Sequence, residues 1–324
     1  MSEFAALSLS ECATALTEIE KPLVVMHTHP DADTVGSCAA LSEIFKALGK
    51  EVRYTCSDKI PERLDFLIEG LVRDDNTEGY DAVAIDVASP TQLGELCSEL
   101  GDKLCVKLMI DHHEVGTPFA PHYILHGTSS AGEVLYGIAR ELEARGDIVI
   151  TKRMASLLYA AISSDTGGFI YSNTSPDTYR CAAELIERGI DGADINHRLF
   201  NSKSEEEIRA EGFVATKLTT AYGGKVAYAE ITLDDIKALG VSLSTFECAI
   251  DVVRALRGVE IAFVVKEQST GVFKISLRST GADVASIAKL HGGGGHIRAA
   301  GCTVFSDKIG SATQAILDEI KGVL

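Results

Sequence analysis

The sequence predicts an α/β fold, with a parallel-sheet N-terminal domain followed by a smaller α/β C-terminal domain. Three observations lead there. Apolar runs at Pro22–Met26, Ala82–Ile85 and Leu104–Ile110, the last interrupted by Lys107, are near-continuous, as strands buried on both faces are. Each run closes on ionisable side chains: His27-Thr28-His29-Pro30-Asp31-Ala32-Asp33 after the first, Asp86 after the second, Asp111-His112-His113 after the third. Helical patterns separate the runs, and the order β-α-β-α-β is that of a parallel sheet with right-handed crossovers.

In chain order, Leu7 to Glu20 predicts a helix in which Ser10 can act as an internal break, and Asp33-Thr34 can cap a helix from about Val35 to Leu48 that stops at Gly49. Val52 to Thr55 reads as a strand. A variable segment with Pro61 and Gly79 precedes the strand ending at Asp86, after which Pro90 to Leu100 predicts a helix. Ser130-x-x-Glu133 is a capping box opening a helix toward Arg145. Thr151 to Ile162 is a further apolar helix leading into Ser163-Ser164-Asp165-Thr166-Gly167-Gly168, and a helix runs from Pro176 or Asp177 to Glu187. Past that point the pattern resets. Lys225 to Ile231, Val259 to Lys266 and Val272 to Arg278 are strand-like, and Leu243 to Leu256 and Ser311 to Ile320 are helical.

At 324 residues the chain exceeds one comfortable core, so two domains are expected. They are placed at residues 1–188 and 208–324, joined by a linker at 189–207. Gly189, Gly192 and the polar run Asn201 to Glu207 read equally well as a hinge and as a solvated connection opening a helix.

Composition excludes several function classes. The 8 cysteines form no C-x-x-C pair, so neither a zinc ribbon nor a disulfide framework is indicated, and reduced thiols in a cytoplasm are expected. No apolar stretch approaches the ~20 residues of a membrane span, and Met-Ser-Glu-Phe does not begin a signal peptide. A net charge of −17 repels long polyanions, which disfavours extended duplex binding and leaves room for a short phosphate-bearing ligand.

Open parallel sheets bind ligands beyond the C-terminal ends of their strands, so three strands converging on Asp and His predict one shared site. His27, Asp31, Asp33, Asp86, His112 and Asp165 supply four carboxylates and two imidazoles. Crowded together without metal, such carboxylates repel and take up protons. Two divalent cations cancel that charge. Oxygen and nitrogen donors without a thiolate favour Mn²⁺, with Co²⁺ or Mg²⁺ as substitutes, and two such ions can activate water and hold both oxygens of a displacement at phosphorus. The plainer reading of Asp31 and Asp33 as helix caps is outweighed by a His four residues before Asp31. Asp111 is read as orienting a neighbouring imidazole. Gly293, Gly294 and Gly295 allow successive N–H groups to close on an anion, with His296 and Arg298 following, and Arg278 ends an alternating strand; all six are read as substrate contacts against the plainer readings of a flexible loop and a solvated edge charge. No Lys-Ser or Lys-Thr follows the glycines, so this is not a P-loop.

These residues carry a resemblance. His-x-x-Pro-Asp-x-Asp at 27–33, Asp86, Asp-His-His at 111–113 and Asp165 in Ser-Asp-Thr-Gly resemble the four motifs of the DHH phosphoesterase superfamily. Gly292 to His296 with Ala299-Ala300-Gly301 resembles the signature of the associated DHHA1 domain. The resemblance spans nearly the whole chain and is greatest to the stand-alone bacterial nanoRNase and pAp-phosphatase branch. It implies that His27 and Asp31 bind one metal, that Asp33, His112 and Asp165 bind the other, that Asp86 bridges them, and that His113 faces the substrate phosphate as a catalytic partner of Asp111. Ala32 and His29 depart from the common Gly and Asn of the first motif, at positions that bear on substrate preference and not on metal binding.

The resulting expectation is a Mn²⁺-dependent phosphoesterase acting on short nucleotides, meaning dinucleotides such as pNpN and 3′-phosphoadenosine 5′-phosphate (pAp). The first domain does the chemistry and the second holds the nucleotide across a cleft. Cyclic or linear dinucleotide phosphodiesterase activity is the alternative of the same class, and a metal- and nucleotide-binding sensor without turnover the alternative of another. Pyrophosphatase fits less well, since family II enzymes of that kind resemble only the first domain. The resemblance admits a homodimer.

Overall fold

Strand side chains alternate between two faces, and in the first half of this chain both faces are apolar. The structure, a computed structural model, describes residues 4–247 and 249–324, with the backbone alone for His296. Strands β1 (Pro22–Val25), β2 (Arg53–Thr55), β3 (Asp81–Ile85), β4 (Val106–Asp111) and β5 (His122–Ile124) form a sheet in the order β2-β1-β3-β4-β5, parallel throughout. Val24, Val83, Ile85, Leu108 and Ile110 face a core built by α1 (Leu9–Glu18), α2 (Ala32–Ala47), α3 (Asp65–Ile68), α4 (Ala131–Arg145), α5 (Lys152–Asp165), α6 (Pro176–Glu187) and α7 (Gly192–Asn196). Leu23, Val25, Ala82, Ala84 and Met109 pack on the other side against Leu93 and Leu96. This double burial is why the strand sequences read as continuous apolar runs.

From β1 the chain moves to β2 on one side and then crosses back to β3 on the other side of β1. The strand order therefore reverses between β1 and β3, and a crevice opens beyond their C-terminal ends. His27 follows β1 and Asp86 follows β3. Both outer strands are covered: the N–H of Leu7 donates to the carbonyl of His122 at 2.8 Å and that of His122 to Ala5 at 3.0 Å, laying residues 5–7 along β5. Tyr54 of β2 likewise pairs with Val72 and Asp74, at 3.1 and 2.9 Å.

Several local expectations change. Helix α1 is capped by Ser8 and runs unbroken through Ser10. Helix α2 begins at Ala32, not Val35, because the Asp31 carboxylate accepts from the N–H groups of Asp33 and Thr34, which places Asp33 inside the first turn. Ser130 caps α4, but Glu133 turns to Ser129 and Thr178, so the reciprocal half of the capping box is absent. The helix expected over Pro90 to Leu100 is 3₁₀ over Pro90–Glu99, broken at Gly94 (φ 62°, ψ −127°). A Cβ at Gly94 would lie 2.4 Å from the Thr28 methyl group, so the kink brings this segment close against the loop that follows β1.

A second unit begins at Lys203, the first ending at Ser202. Within the stretch expected as a linker, Ile190 and Ile195 belong to the first unit's core, and the acidic run 205–207 opens α8 (Glu205–Lys217) behind a Ser204–Glu207 capping box. The second sheet comprises β6 (Thr219–Ala221), β7 (Val226–Ile231), β8 (Ile261–Ser269), β9 (Val272–Ser279), β10 (Gly294–His296) and β11 (Ala299–Phe305) in the order β10-β11-β9-β8-β7-β6. Only the β7–β8 pair is parallel among the described residues. Helices α8, α9 (Leu233–Leu239) and α10 (Ala249–Arg254) share one core with Ala227, Ala229 and Val264, while α11 (Val284–Leu290) and α12 (Ile309–Ile320) share the other with Phe263, Ile275 and Leu277. The helix expected over Leu243 to Leu256 divides into a 3₁₀ turn at Leu243–Phe246 and α10; residue 248 lies outside the described residues.

Candidate metal centre

The C-terminal ends of β1, β3 and β4, the start of α2 and the end of α5 deliver the predicted side chains to one place. Potential ligand atoms of His27, Asp31 and Asp86 lie within 4.8 Å of one another, as do those of Asp33, His112 and Asp165, and those of Asp86, His112 and His113. Asp165 is the last residue of α5 and not part of the loop after it.

Each side chain is fixed from behind. His27 Nδ1 meets the carbonyl of Thr28 at 2.6 Å, which turns Nε2 toward Asp86 Oδ2 at 3.5 Å. Asp33 Oδ2 accepts from the N–H of Ala131 at 2.8 Å and Oδ1 from that of Gly132 at 3.0 Å, so the unpaired amides opening α4 hold this carboxylate. His112 Nε2 stands 3.6–3.9 Å from Asp33, Asp86 and Asp165, with Nδ1 3.4 Å from the carbonyl of Thr128. His113 Nδ1 is bonded to the buried Asp111 at 2.7 Å, the orienting contact expected of that acid. Sequence reasoning missed the supporting groups: backbone atoms of Thr28, Thr128, Ala131 and Gly132, and the Asn173 amide that donates to the carbonyls of Asp165 and Ser129 at 3.0 Å each. Backbone atoms leave no signature in residue identity.

Asp86 sits at the middle of the cluster. It is 2% exposed and holds φ 58°, a left-handed conformation that a non-glycine residue keeps only where its surroundings impose it. Its Oδ1 is buried without a hydrogen-bond partner among the described residues; ring nitrogens of His112 and His113 each stand 3.6 Å away. Burial alone would raise its pKa, but the hydrogen bond and charge of His27 and the charges of His112 and His113 hold the carboxylate well below its usual range. Asp33 goes the other way, pushed well up by burial and by Asp86, Asp165 and Asp31. Burial and the charges of Asp31 and Asp86, opposed by His112, bring Asp165 up to about 7. Desolvation opposes charge on His27 and His113, yet Asp86 raises the first and Asp111 the second to about 9. Carboxylates and imidazoles crowded together in this way can take up either protons or cations.

The remaining candidates lie in the second unit. Arg278 is the penultimate residue of β9, half-buried, with Nη1 bonded to the carbonyl of Leu277 at 2.9 Å. Arg298 is exposed, and its carbonyl accepts from the N–H of Ser279 at 3.0 Å. The glycine run is an edge strand: Gly294, Gly295 and His296 pair with Gly301, Ala300 and Ala299. A Cβ at Gly293 would lie 2.2 Å from the carbonyl oxygen of Gly301, and one at Gly295 2.5 Å from that of Ala299, so these two glycines serve close strand packing. Gly294 has open space beside it. The side chain of His296 lies outside the described residues. A surface groove of about 680 Å³ between α4 and α6 is apart from this chemistry, and its Arg140 and Arg188 are paired with Glu184 and Glu143.

Residues 21–162 match the N-terminal domain of the DHH family, and residues 223–322 match the DHHA1 domain. The chain is 28% identical over 315 residues to the bifunctional oligoribonuclease and PAP phosphatase NrnA of Thermus thermophilus, covering 95% of this chain and 92% of that one. For NrnA of Bacillus subtilis the identity is 26% over 287 residues, covering 87% and 90%. Among solved structures, an exopolyphosphatase-related protein from Bacteroides fragilis superposes with a TM-score of 0.86 at 22% identity over 96% of this chain and 95% of that one. RecJ of Thermus thermophilus, solved in complex with Mn²⁺, gives a TM-score of 0.54 at 17% identity, covering 96% of this chain and 54% of RecJ. The first unit thus carries a DHH N-terminal domain and the second a DHHA1 domain, and the similarity to the NrnA proteins runs across both.

Proposed function

We propose that this protein is a metal-dependent phosphoesterase that hydrolyses short nucleotides, dinucleotides and pAp foremost. The observation that carries the reading is that the groups His27–Asp31–Asp86 and Asp33–His112–Asp165 are linked through Asp86–His112–His113, with Asp86 Oδ1 buried and without a hydrogen-bond partner among the described residues. His27 and Asp31 would hold one cation, Asp33, His112 and Asp165 a second, and Asp86 both. When bound, two divalent ions neutralise the carboxylates and activate water for attack at phosphorus. The hard oxygen and nitrogen donors favour manganese, with magnesium or cobalt as substitutes, and a protein of the same fold, RecJ, was solved with Mn²⁺.

The protein's own groups divide the remaining work. Asp111 orients His113, which would face the substrate phosphate. Arg278, Gly293 to Gly295, His296 and Arg298 bind the nucleotide away from the reacting phosphorus. We place the protein in the cytoplasm, where the thiols of Cys12, Cys38 and Cys56, which are free in the structure, stay reduced; no helix among the described residues is long and apolar enough to cross a membrane.

The test is a panel of pAp, pNpN dinucleotides, cyclic dinucleotides and pyrophosphate, assayed after chelation and reconstitution with manganese. The expected result is turnover of pAp and linear dinucleotides that chelation removes and manganese restores. Preference for a cyclic dinucleotide selects the alternative of the same class. Nucleotide binding without turnover on any of the four makes the protein a sensor.

A further inference from the structure

Two residues after Asp165, the chain enters an unusual turn. Gly167, Gly168 and Phe169 take φ of 59°, 71° and 68° in succession, a path that a bulky residue such as Phe holds only when its surroundings fix it. They do: the Phe169 ring stacks on Tyr179 at 5.7 Å and 25° and meets Tyr159 at 5.8 Å. The N–H groups of Ile170 and Tyr171 both donate to the carbonyl of Thr166 at 2.9 Å, and Asn173 ties the loop to the carbonyl of Asp165. The result is that the Tyr171 ring lies directly on the backbone of Gly167, where an added Cβ would be 2.3 Å from Cζ. Tyr171 remains 36% exposed and Ile170 81% exposed. A rigid aromatic ring and a large aliphatic side chain are thus displayed beside a candidate ligand carboxylate, with the ring's inner side covered by glycine.

We propose that Tyr171, with Ile170 beside it, is the shelf on which a base of the substrate stacks while its phosphate occupies the Asp86 cluster. The inference rests on the nucleotide reading above and adds a specificity-determining residue to it. Every base has a π-face, so an aromatic shelf binds nucleotides with little sequence preference, and its contact with Gly167, two residues from Asp165, limits it to a base close to the reacting phosphate. The loop is held by Thr166, Asn173 and the Phe169 stack, so the shelf is ordered before substrate arrives and costs little further entropy on binding.

The experiment compares wild-type protein with Tyr171→Ala and Tyr171→Phe on pAp and on ribose 3,5-bisphosphate, its counterpart without a base. Titration calorimetry with AMP and ribose 5-phosphate gives a readout independent of turnover. For Tyr171→Ala the KM for pAp and the Kd for AMP should rise about 5- to 100-fold, with kcat little changed, while constants for the baseless compounds stay put. Tyr171→Phe should behave as wild type. Equal loss on compounds with and without a base, or no loss on either, overturns the shelf, as does a Tyr171→Ala protein whose only change is dissociation of a dimer. Wild-type protein that hydrolyses neither bisphosphate yet binds AMP in a Tyr171-dependent way removes the hydrolytic reading and keeps the shelf. Hydrolysis of both bisphosphates with equal efficiency does the reverse.

Discussion

Asp86 concentrates what is unusual about this chain: a left-handed backbone, full burial, and a carboxylate oxygen without a hydrogen-bond partner among the described residues. Replacing it with Asn removes the charge that faces both triads while keeping size and shape. Loss of a group that merely orients a ligand costs about 10–100-fold, so Asp86→Asn should exceed that in kcat/KM and lose bound manganese in parallel, with the circular dichroism spectrum unchanged. Near wild-type rates would sink the two-metal scheme. Arg298 makes the opposite prediction. Exposed and remote in sequence from the cluster, it should contribute mainly uniform binding, so Arg298→Ala should raise KM more than it lowers kcat, by about 1.5–3 kcal/mol in total. A pure kcat effect would move it into the reacting shell. The six ligand-type residues were legible because acids and imidazoles stand out against apolar strands. Asp31 was only half legible, since its capping of α2 appears once the helix start is seen at Ala32.

At the scale of elements, the first unit is fastened by pairs that join its helices. Glu143 of α4 accepts from Arg188, just past α6, at 2.6 and 2.9 Å and from the N–H of Ile150 at 2.8 Å. The Arg188 hydrogen bond, ahead of the other influences, holds the Glu143 carboxylate below its ordinary value. A carboxylate depressed in the folded state adds stability above its unfolded pKa and loses it as pH falls through the folded one. The pair is about a third exposed, which limits it to ~0.5–1 kcal/mol. Glu143→Gln should therefore lower Tm at pH 7 by about 1–3 °C, and the gap should close by about pH 3; a gap that persists in acid would assign the contact to packing. Long elements were readable: α6 occupies the predicted Pro176–Glu187, and β3 and β4 lie within their apolar runs except that β3 starts one residue earlier, at Asp81, and β4 ends one later, at Asp111. What escaped was written in small residues. Ala299-Ala300-Gly301-Cys302 gives β11 no alternation to detect, and β10 consists of two glycines and a His, so its pairing is settled by the close approach to β11. Pro90–Glu99 carries a helical pattern, and only the left-handed Gly94 pressed against Thr28 makes it 3₁₀.

For the whole molecule, charge limits length. With 47 acids against 30 Lys and Arg, the net charge works against binding a long run of phosphates. Efficiency should be highest for pAp or dinucleotides and fall as a 5′-phosphorylated RNA grows from two to about twenty nucleotides at fixed low salt. Equal efficiency at both ends of that series would reveal a basic channel. The first sheet also has its two outer strands closed by short extended segments, residues 5–7 along β5 and 72–74 along β2. An uncovered edge strand is a template for another chain, so this cover works against self-association in a sheet made of Val, Ile, Leu and Ala. A purification tag that pulls residues 5–7 off β5, or a deletion through Leu7, should therefore leave the helices folded and yet make the protein aggregate in proportion to its concentration. Light scattering of the shortened protein against the full chain would show it, and expression vectors for this protein should carry their tags at the other end.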